Sequence, residues 1–183
     1  MSETKSPKEL EKEGTAAYNK EDFNTAANKF EAASKGYTLA EDHIKAAEMA
    51  NNSSVAYLQA GEAEKALEVL DGTTEVFANS GDLKRQGMSI GNKGAALEEL
   101  GQLEEAEQAY RESAEILEKA GEDKLRAEVM KSLSTLQLNT GRQLQALATM
   151  QSGVEGVKSP SPKQSFLKRL LQIPIDMINK NKV

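Results

Sequence analysis

Side chains that could perform chemistry are few in this chain, and their spacing forms no catalytic arrangement. His43 is the only histidine and cysteine is absent, which excludes paired-histidine metal sites, thiolate metal sites and cysteine nucleophiles. Adjacent carboxylates such as Glu98-Glu99 and Glu104-Glu105 could supply a general acid and base, but they stand beside Lys and Arg, as on a solvated helix surface. We therefore predict no enzymatic activity and no bound cofactor or metal.

Three glycines, Gly87, Gly91 and Gly94, superficially suggest a phosphate-binding loop. Their spacing of four and three residues instead places them along one side of a helix. There they would either allow close packing or leave room in a groove. The sequence contains no phosphate loop, dinucleotide fingerprint or nucleophile elbow.

The composition of the 183 residues predicts one helical domain. Aromatic residues make up 4%, which is low for a β-sandwich or barrel, whereas Ala, Glu, Lys, Leu and Gln, which favour helices, are abundant. Proline is absent between Pro7 and Pro160. These features predict an all-α chain.

The charge distribution bears on partners and location. The net charge of −6 argues against a general nucleic-acid binder, because phosphate affinity requires a basic face. Neither a signal-peptide core nor a stretch of about 18 apolar residues is present, so we expect a cytoplasmic protein that does not span a membrane. The segment 163–183 is an exception to the acidic character, with five basic residues and one acidic residue.

Internal repeats with a period of 40 residues organise the chain. Gly61, Gly101 and Gly141 recur at that interval, and Glu21 takes the place of the first glycine. Three further positions keep the same register, holding an alanine, a large residue and a small residue. They are Ala26, Ala66, Ala106 and Ala146; Phe30, Leu70, Tyr110 and Met150; and Gly14, Ser54, Gly94 and Ser134. Two residues after the small residue come Ala16, Ala56, Ala96 and Leu136.

Each repeat is predicted to be a helical hairpin with two helices of roughly 16–18 residues. Gly61, Gly101 and Gly141 would end the first helix with a positive φ, and a second boundary lies at Gly81 and Gly121. Small residues such as Gly94 and Ala106 would let two helices approach closely, with Tyr110 filling the gap beyond them.

The pattern resembles the tetratricopeptide repeat (TPR) family over about residues 7–157. The third copy carries the resemblance best, with Asn92, Gly94, Ala96 and Leu97 on its first helix, the turn Gly101, and Ala106 and Tyr110 on its second helix. The period of 40 exceeds the usual 34, and the customary proline is missing, as in the long-repeat TPRs of kinesin light chain and related adaptors. The resemblance implies a right-handed α-solenoid of four TPR-like hairpins plus a C-terminal amphipathic helix. The repeats would cover about 7–40, 41–80, 81–120 and 121–158, within a repeat domain at 1–158 followed by a linker and helix at 159–183.

Capping signals are consistent with these limits. Ser6-Pro7-Lys8-Glu9 reads as a capping box with proline at the first helical position, and Ser161-Pro162-Lys163-Gln164 repeats this design. The first helix would therefore begin near Pro7, and the last one near Pro162.

Within the TPR resemblance, the first helices line a concave face that commonly holds a partner peptide. Leu10, Ile90, Leu97 and Met130 are assigned to the core, and residues about half a turn away should face the groove. The predicted peptide-binding residues are Asn51, Asn52, Val55, Leu58, Met88, Gly91, Asn92, Ala95, Glu98, Lys131, Thr135 and Leu138. Asn52 and Asn92 could hydrogen-bond a peptide backbone or fasten adjacent helices; both alternatives stay open.

The chaperone-binding members of the family hold a C-terminal carboxylate with Lys, Arg and Asn. Lys8, Lys12, Asn52 and Asn92 would supply part of such a clamp here, but Glu11 and Glu48 oppose it and the pattern is incomplete. We therefore expect a mixed polar and apolar groove that takes a protein or peptide ligand.

The segment 163–180 is strongly apolar around a wide arc and must find a surface. The residues predicted to dock are Phe166, Leu167, Leu170, Leu171, Ile175 and Ile178. Their surface could be the exposed end of the fourth repeat, another protein or a second copy of this chain, or an anionic membrane. The first alternative is favoured because solenoids need capped ends. A scaffold that binds a partner is thus the leading prediction, with a self-assembling structural protein or a peripheral membrane recruiter as alternatives.

Overall fold

The described part of the chain is built from helices. The computed structural model describes residues 5–155 together with Pro162 and Ser165, and no strand occurs among them. The helices within this part are α1 (Pro7–Tyr18), α2 (Phe23–Leu39), α3 (His43–Gln59), α4 (Ala63–Glu68), α5 (Thr73–Ser80), α6 (Leu83–Glu99), α7 (Leu103–Lys119), α8 (Asp123–Asn139) and α9 (Gln143–Glu155). The predicted all-α class is confirmed.

Glycine stands where the chain must reverse direction between helices. Gly61, Gly101 and Gly141 lie inside hairpins with φ of 76°, 74° and 77°. Gly81 and Gly121 lie between hairpins with φ of 74° and 70°. Side chains with a Cβ are strained in this left-handed region, which glycine enters freely. The predicted positive φ at the turn glycines is therefore confirmed.

Polar residues at the helix N-termini satisfy backbone donors that the helix itself leaves free. Ser6 forms the predicted capping box: its Oγ accepts from the Glu9 N–H at 3.3 Å, and Glu9 Oε2 accepts from the Ser6 N–H at 2.8 Å. Asp22, Asp42 and Asp82 likewise accept from the N–H three residues on. These caps begin α1, α2, α3 and α6.

The first repeat uses glutamate at both of its turns. Glu21 and Glu41 each have φ of 60°, at the register positions that Gly61 and Gly81 occupy in the next repeat. A residue with a Cβ costs roughly 1 kcal/mol or more in this conformation. Both turns keep the shape of the later ones despite that strain.

The prediction of two uninterrupted helices per repeat is wrong for the second repeat. Its second helix stops at Glu68 and resumes at Thr73, after Gly72 with φ of 70°. The equivalent helix of the third repeat, α7, runs unbroken over 17 residues. Asp71-Gly72 is a turn dipeptide followed by two threonines, which are poor helix formers, and this composition accounts for the break. α1 is also shorter than predicted, at 12 residues, because it starts at Pro7.

The residues at the repeated register positions pack as the spacing predicts. Ala26, Ala66, Ala106 and Ala146 are each at most 1% exposed. A Cβ built on Gly94 would lie 2.9 Å from the Tyr110 ring, and one on Gly14 would lie 2.8 Å from the Phe30 ring. No larger residue fits these crossings, so the close approach of first and second helices depends on glycine there.

One slot departs from the pattern in the first repeat. Ala56, Ala96 and Leu136 are buried, whereas Ala16 is exposed and the neighbouring Ala17 is buried instead.

The hairpins stack into an α-solenoid. Each first helix packs on the second helix of its own repeat, and α3 contacts α6 while α6 contacts α8. The first helices therefore line one continuous surface. We call the surface lined by α3, α6 and α8 the first-helix face. The predicted solenoid of helical hairpins is confirmed; the predicted amphipathic helix at 159–183 lies outside the described residues, apart from Pro162 and Ser165.

Candidate functional site

The first-helix face brings together most of the predicted groove residues at differing depths. Asn51 is buried, whereas Lys131, Thr135 and Leu138 are exposed. The half-buried members are Asn52, Val55, Leu58, Met88, Gly91, Asn92, Ala95 and Glu98. A surface of half-buried polar and apolar side chains can receive an extended or helical segment without further folding.

An asparagine pair joins two neighbouring repeats at the centre of this face. The Asn92 Nδ2 on α6 donates to the Asn51 Oδ1 on α3 at 2.9 Å. Asn51 is 8% exposed and Asn92 is half-buried. Among the described residues, no hydrogen bond occupies the Asn92 Oδ1. Asn92 thus fastens adjacent helices and still presents an oriented acceptor.

Gly91 does not leave room in the groove, which was one of its two predicted roles. A Cβ on Gly91 would lie 3.1 Å from the Ser113 Oγ and 3.4 Å from the Val129 Cγ2, so this glycine faces α7 and α8. Gly87 similarly packs against Leu117, where a Cβ would approach to 2.7 Å. Close packing is therefore the role that the structure gives to both.

A shallow cleft of about 310 Å³ lies between α6 and α8. Its lining consists of Glu98, Glu128, Lys131, Ser132 and Thr135. Tyr110 of α7 reaches this cleft from below, and its hydroxyl donates to the Glu98 Oε2 at 2.8 Å. Burial of the phenol, followed by the bond to Glu98, raises the pKa of Tyr110 far above its usual value, so Tyr110 stays protonated as a donor.

A chain of charges crosses the N-terminal ends of α1, α3 and α6. Lys45 Nζ lies 3.1 Å from Glu48 Oε2 and 4.0 Å from Glu11 Oε1. Arg85 lies 3.5 Å from the same Glu48 oxygen. The Tyr37 hydroxyl donates to Glu11 at 2.8 Å, and burial together with that bond raises the pKa of Tyr37 to about 12.

This chain of charges bears on the carboxylate clamp. Glu11 and Glu48, the two acids that oppose the predicted clamp, pair with Lys45 and Arg85. Those two cations are therefore already neutralised. Sequence reasoning named neither Lys45 nor Arg85, since no spacing rule relates ion pairs between different repeats.

Another polar network fastens the third repeat to the fourth. Glu107 accepts from Arg142 Nη1 at 2.6 Å, from Arg111 and from the buried Gln137 at 3.4 Å. Gln137 in turn accepts from the Thr149 Oγ1 at 2.8 Å. Burial raises the pKa of Glu107, but hydrogen bonds from Arg111, Arg142 and Gln137 outweigh it and hold that pKa below the usual value. These residues bond one another and hold the repeats together.

A larger cleft lies beside the break in the second helix of repeat two, between that helix, α6 and α7. Its volume is about 470 Å³, with Leu70, Ile90 and Leu97 in the floor and Lys93 among carboxylates at the rim. Sequence reasoning missed this cleft because it predicted an unbroken helix; the Asp71-Gly72 dipeptide was the available signal.

Candidate catalytic and metal-binding groups stay dispersed in the described residues. His43 is exposed at the start of α3. No group of three or more His, Asp or Glu side chains in this part of the chain could hold a metal ion. Within the same residues, no helix has both the length and the hydropathy required to cross a bilayer.

Comparison with known proteins supports the repeat assignment. A tetratricopeptide repeat family model matches residues 86–159. RapI in its apo form superposes with a TM-score of 0.76 at 20% identity, over 91% of this chain and 47% of RapI, so the chain spans about half the length of that protein. The TPR-like repeats of a kinesin light chain from Podospora anserina superpose with a TM-score of 0.70 at 15% identity, over 98% of this chain and 92% of that one. A single-substitution variant of that protein gives the same values.

No protein of curated function matches the chain in sequence. Because the structural identities are low, these neighbours show the fold alone. The predicted resemblance to the tetratricopeptide repeat is confirmed by the family match at residues 86–159 and by the shared repeat architecture.

Proposed function

We propose that this chain, whose TPR-like fold generally mediates interactions between proteins, is a non-enzymatic scaffold that binds a partner peptide or helix on its first-helix face. The observation that carries the proposal is the Asn51–Asn92 pair. That pair orients an acceptor, the Asn92 Oδ1, at the centre of a half-buried surface before any ligand arrives. A preformed acceptor lowers the entropic cost of binding a peptide N–H.

Apolar side chains flank this polar centre. Val55 on α3 and Met88 on α6 are half-buried, and Leu138 on α8 is 47% exposed. Methionine adapts its shape to different apolar partners. The combination fits a segment that offers backbone hydrogen bonds to Asn92 and small or medium apolar side chains to its neighbours.

The charges select against a free C-terminal carboxylate. Glu11 and Glu48 neutralise Lys45, and in the cleft between α6 and α8 the acids Glu98 and Glu128 outnumber the one cation, Lys131. An incoming carboxylate would meet these acids, whereas a Lys or Arg side chain would be attracted by them. We therefore expect an internal, neutral to basic segment as the ligand.

The test is selection of peptides from a library of random dodecapeptides displayed on phage, followed by affinity measurements with purified variants. Val55→Glu and Met88→Glu place a charge on the first-helix face at positions that are half-buried. We expect each to weaken the selected peptides about tenfold or more, equivalent to about 1.4 kcal/mol.

Ala78→Glu is the matched control, because Ala78 is exposed on the second helix of the same repeat as Val55. It should leave the affinity unchanged. Peptides that bind the Val55→Glu and Met88→Glu proteins as tightly as the unsubstituted chain would refute the proposed site. Circular dichroism on each variant shows whether the helices remain folded.

A further inference from the structure

The dipeptide Asp71-Gly72, at the break between α4 and α5, is chemically unlike the rest of the chain. It is the only place in the sequence where glycine follows aspartate or asparagine. Glycine has no side chain to shield its amide nitrogen, so this nitrogen is the most accessible to a neighbouring carboxyl group. The pair therefore combines an electrophilic side-chain carbon with the least hindered backbone nucleophile.

The backbone at this dipeptide forms a tight turn that leaves the Gly72 amide free. The Thr73 N–H donates to the Leu70 carbonyl at 3.0 Å, and Gly72 has φ of 70° and ψ of −8°. Asp71 is not among the residues with positive φ. These features define a type II turn with Asp71 and Gly72 as its central residues. The Asp71 amide donates to the Glu68 carbonyl at 3.2 Å, whereas the Gly72 amide makes no hydrogen bond within the described part of the chain.

Both residues are open to water. Asp71 and Gly72 are exposed, and a Cβ built on Gly72 would meet nothing within 4 Å. Two clefts, of about 470 and 220 Å³, are each lined by both residues, so solvent reaches the turn from two sides. Water is therefore available both to accept a leaving group and to open a ring formed at this turn.

The other aspartates of the described helices lack this combination. Asp22, Asp42 and Asp82 accept hydrogen bonds from the N–H three residues on, so their carboxylates are held by the helices that they cap. Each is followed by a residue with a large side chain, which hinders approach to the next amide nitrogen. Asp123 lies in the first turn of α8 and is followed by Lys124. Reaction between an aspartate and its own backbone is thus least hindered in the turn before α5.

We propose that Asp71 is a modification site at which this chain forms isoaspartate without an enzyme. The Gly72 nitrogen bonds to the Asp71 Cγ, and the carboxyl OH leaves as water together with the amide hydrogen, which closes a five-membered succinimide ring. Water then adds to one of the two ring carbonyls and breaks its bond to the Gly72 nitrogen. Breaking the bond to Cγ regenerates aspartate, whereas breaking the bond to the main-chain carbonyl carbon gives isoaspartate. One water is released and one is consumed, so the reaction needs no oxidant, metal or cofactor.

The rearrangement lengthens the main chain by one methylene group inside a hydrogen-bonded turn. The bond from Thr73 to Leu70 spans this turn, and α5 starts immediately after it. α5 has eight residues and is anchored by the buried Thr73 and Phe77, and by the Thr74 hydroxyl, which lies 3.3 Å from the Ser89 hydroxyl of α6. Isoaspartate at position 71 should therefore loosen α5 and leave α7 unaffected. The inference goes beyond the proposed function and does not depend on it.

Prolonged incubation of the full chain at neutral pH tests the site. Isoaspartate is counted by enzymatic methyl transfer from S-adenosylmethionine to the new carboxylate, and mass spectrometry of proteolytic fragments locates it. We expect it to accumulate at residue 71 before any other position. Asp71→Asn should form it faster, because ammonia leaves an amide more readily than water leaves a carboxyl group. Asp71→Glu keeps the charge but should bring the reaction below detection, because closure would require a six-membered ring.

A peptide of residues 66–77 is the unfolded reference for the folded turn. Isoaspartate that forms in this peptide but stays below detection in the full chain would overturn the proposal, since the fold would then protect the turn. Equal accumulation at Asp22, Asp42 or Asp82 would overturn it too, because the reaction would not depend on this turn.

Amide exchange tests the consequence for α5. Ion-exchange chromatography separates the modified from the unmodified chain, and both forms are then compared under the same conditions. The amides of α5 should exchange about tenfold faster in the modified chain, with those of α7 unchanged. Equal exchange of α5 in the two forms would contradict the proposed loosening.

Discussion

Asn92 on α6 donates a hydrogen bond to Asn51 on α3 at 2.9 Å, which joins two repeats through residues 41 positions apart. The family resemblance allowed either a peptide-binding or a fastening role for Asn92. The bond assigns the fastening role through Nδ2. Its second polar atom, Oδ1, is the one that we propose for a ligand.

The Asn51–Asn92 bond should contribute measurably to stability. Asn92→Ala leaves the buried Asn51 without this donor, so the free energy of unfolding should fall by about 1 kcal/mol. Asn52→Ala is the register-matched control: Asn52 is half-buried and its side chain bonds no other described residue. Its effect should stay within about 0.5 kcal/mol. Urea denaturation measures both, and equal losses would show that the bond has no net value.

Gly94 should tolerate no larger residue while Tyr110 is present. Gly94→Ala places a Cβ 2.9 Å from the Tyr110 ring, and the resulting overpacking should cost about 1–3 kcal/mol. Gly91→Ala makes the same change on the same helix, but its nearest neighbour is the Ser113 hydroxyl at 3.1 Å. The helix propensity of alanine should largely offset that contact. Thermal unfolding that ranks Gly91→Ala as the more harmful change would contradict this packing.

The strained turns of the first repeat offer a stabilising substitution. Glu21→Gly and Glu41→Gly should each raise the free energy of unfolding by about 1 kcal/mol, because glycine adopts a φ of 60° without strain. Gly61→Ala, at the register position of Glu21, should lower it by a similar amount. Denaturant titration provides the values. A loss of stability on Glu21→Gly would mean that the glutamate contributes contacts that exceed its strain.

Glu107 links stability to pH. Its pKa in the folded chain lies below the usual 4.5, so its ionised form stabilises the fold above that value. The contribution should be present at pH 7 and should disappear as the pH falls through the depressed pKa of the folded state. Glu107→Gln should therefore destabilise the chain at pH 7, with a difference that shrinks as the pH falls below about 4. A difference that is constant between pH 7 and pH 3 would exclude this linkage.

The slots that fix the fold were readable from the sequence because each depends on one local property. Gly61 and Gly101 are needed for a positive φ, and Ala106 and Gly94 for a close helix crossing. Because the same requirement recurs in every repeat, the same residue type returns every 40 residues and can be recognised in the sequence. The break at Gly72 was not predictable from the presence of glycine alone, because other glycines, Gly87 and Gly94, remain inside a helix. Neighbouring side chains fill the space beside those two glycines, whereas Gly72 meets nothing within 4 Å.

The site was less predictable than the fold. Register identified which residues share the first-helix face, but not that Asn51 is buried or that Gly91 faces Ser113. Ion pairs such as Arg85 with Glu48 join repeats through long side chains, and their partners depend on the stacking of helices rather than on spacing along the chain.

The most direct test of the proposed function is to map where a selected peptide binds. Amide chemical shifts of the full chain, recorded with and without a peptide chosen from the random library, report its footprint residue by residue. We expect the largest changes on α3, α6 and α8, around Asn92, Val55 and Met88, with α2, α7 and α9 little affected. A footprint centred on the cleft beside Gly72, or on the second helices, would contradict it.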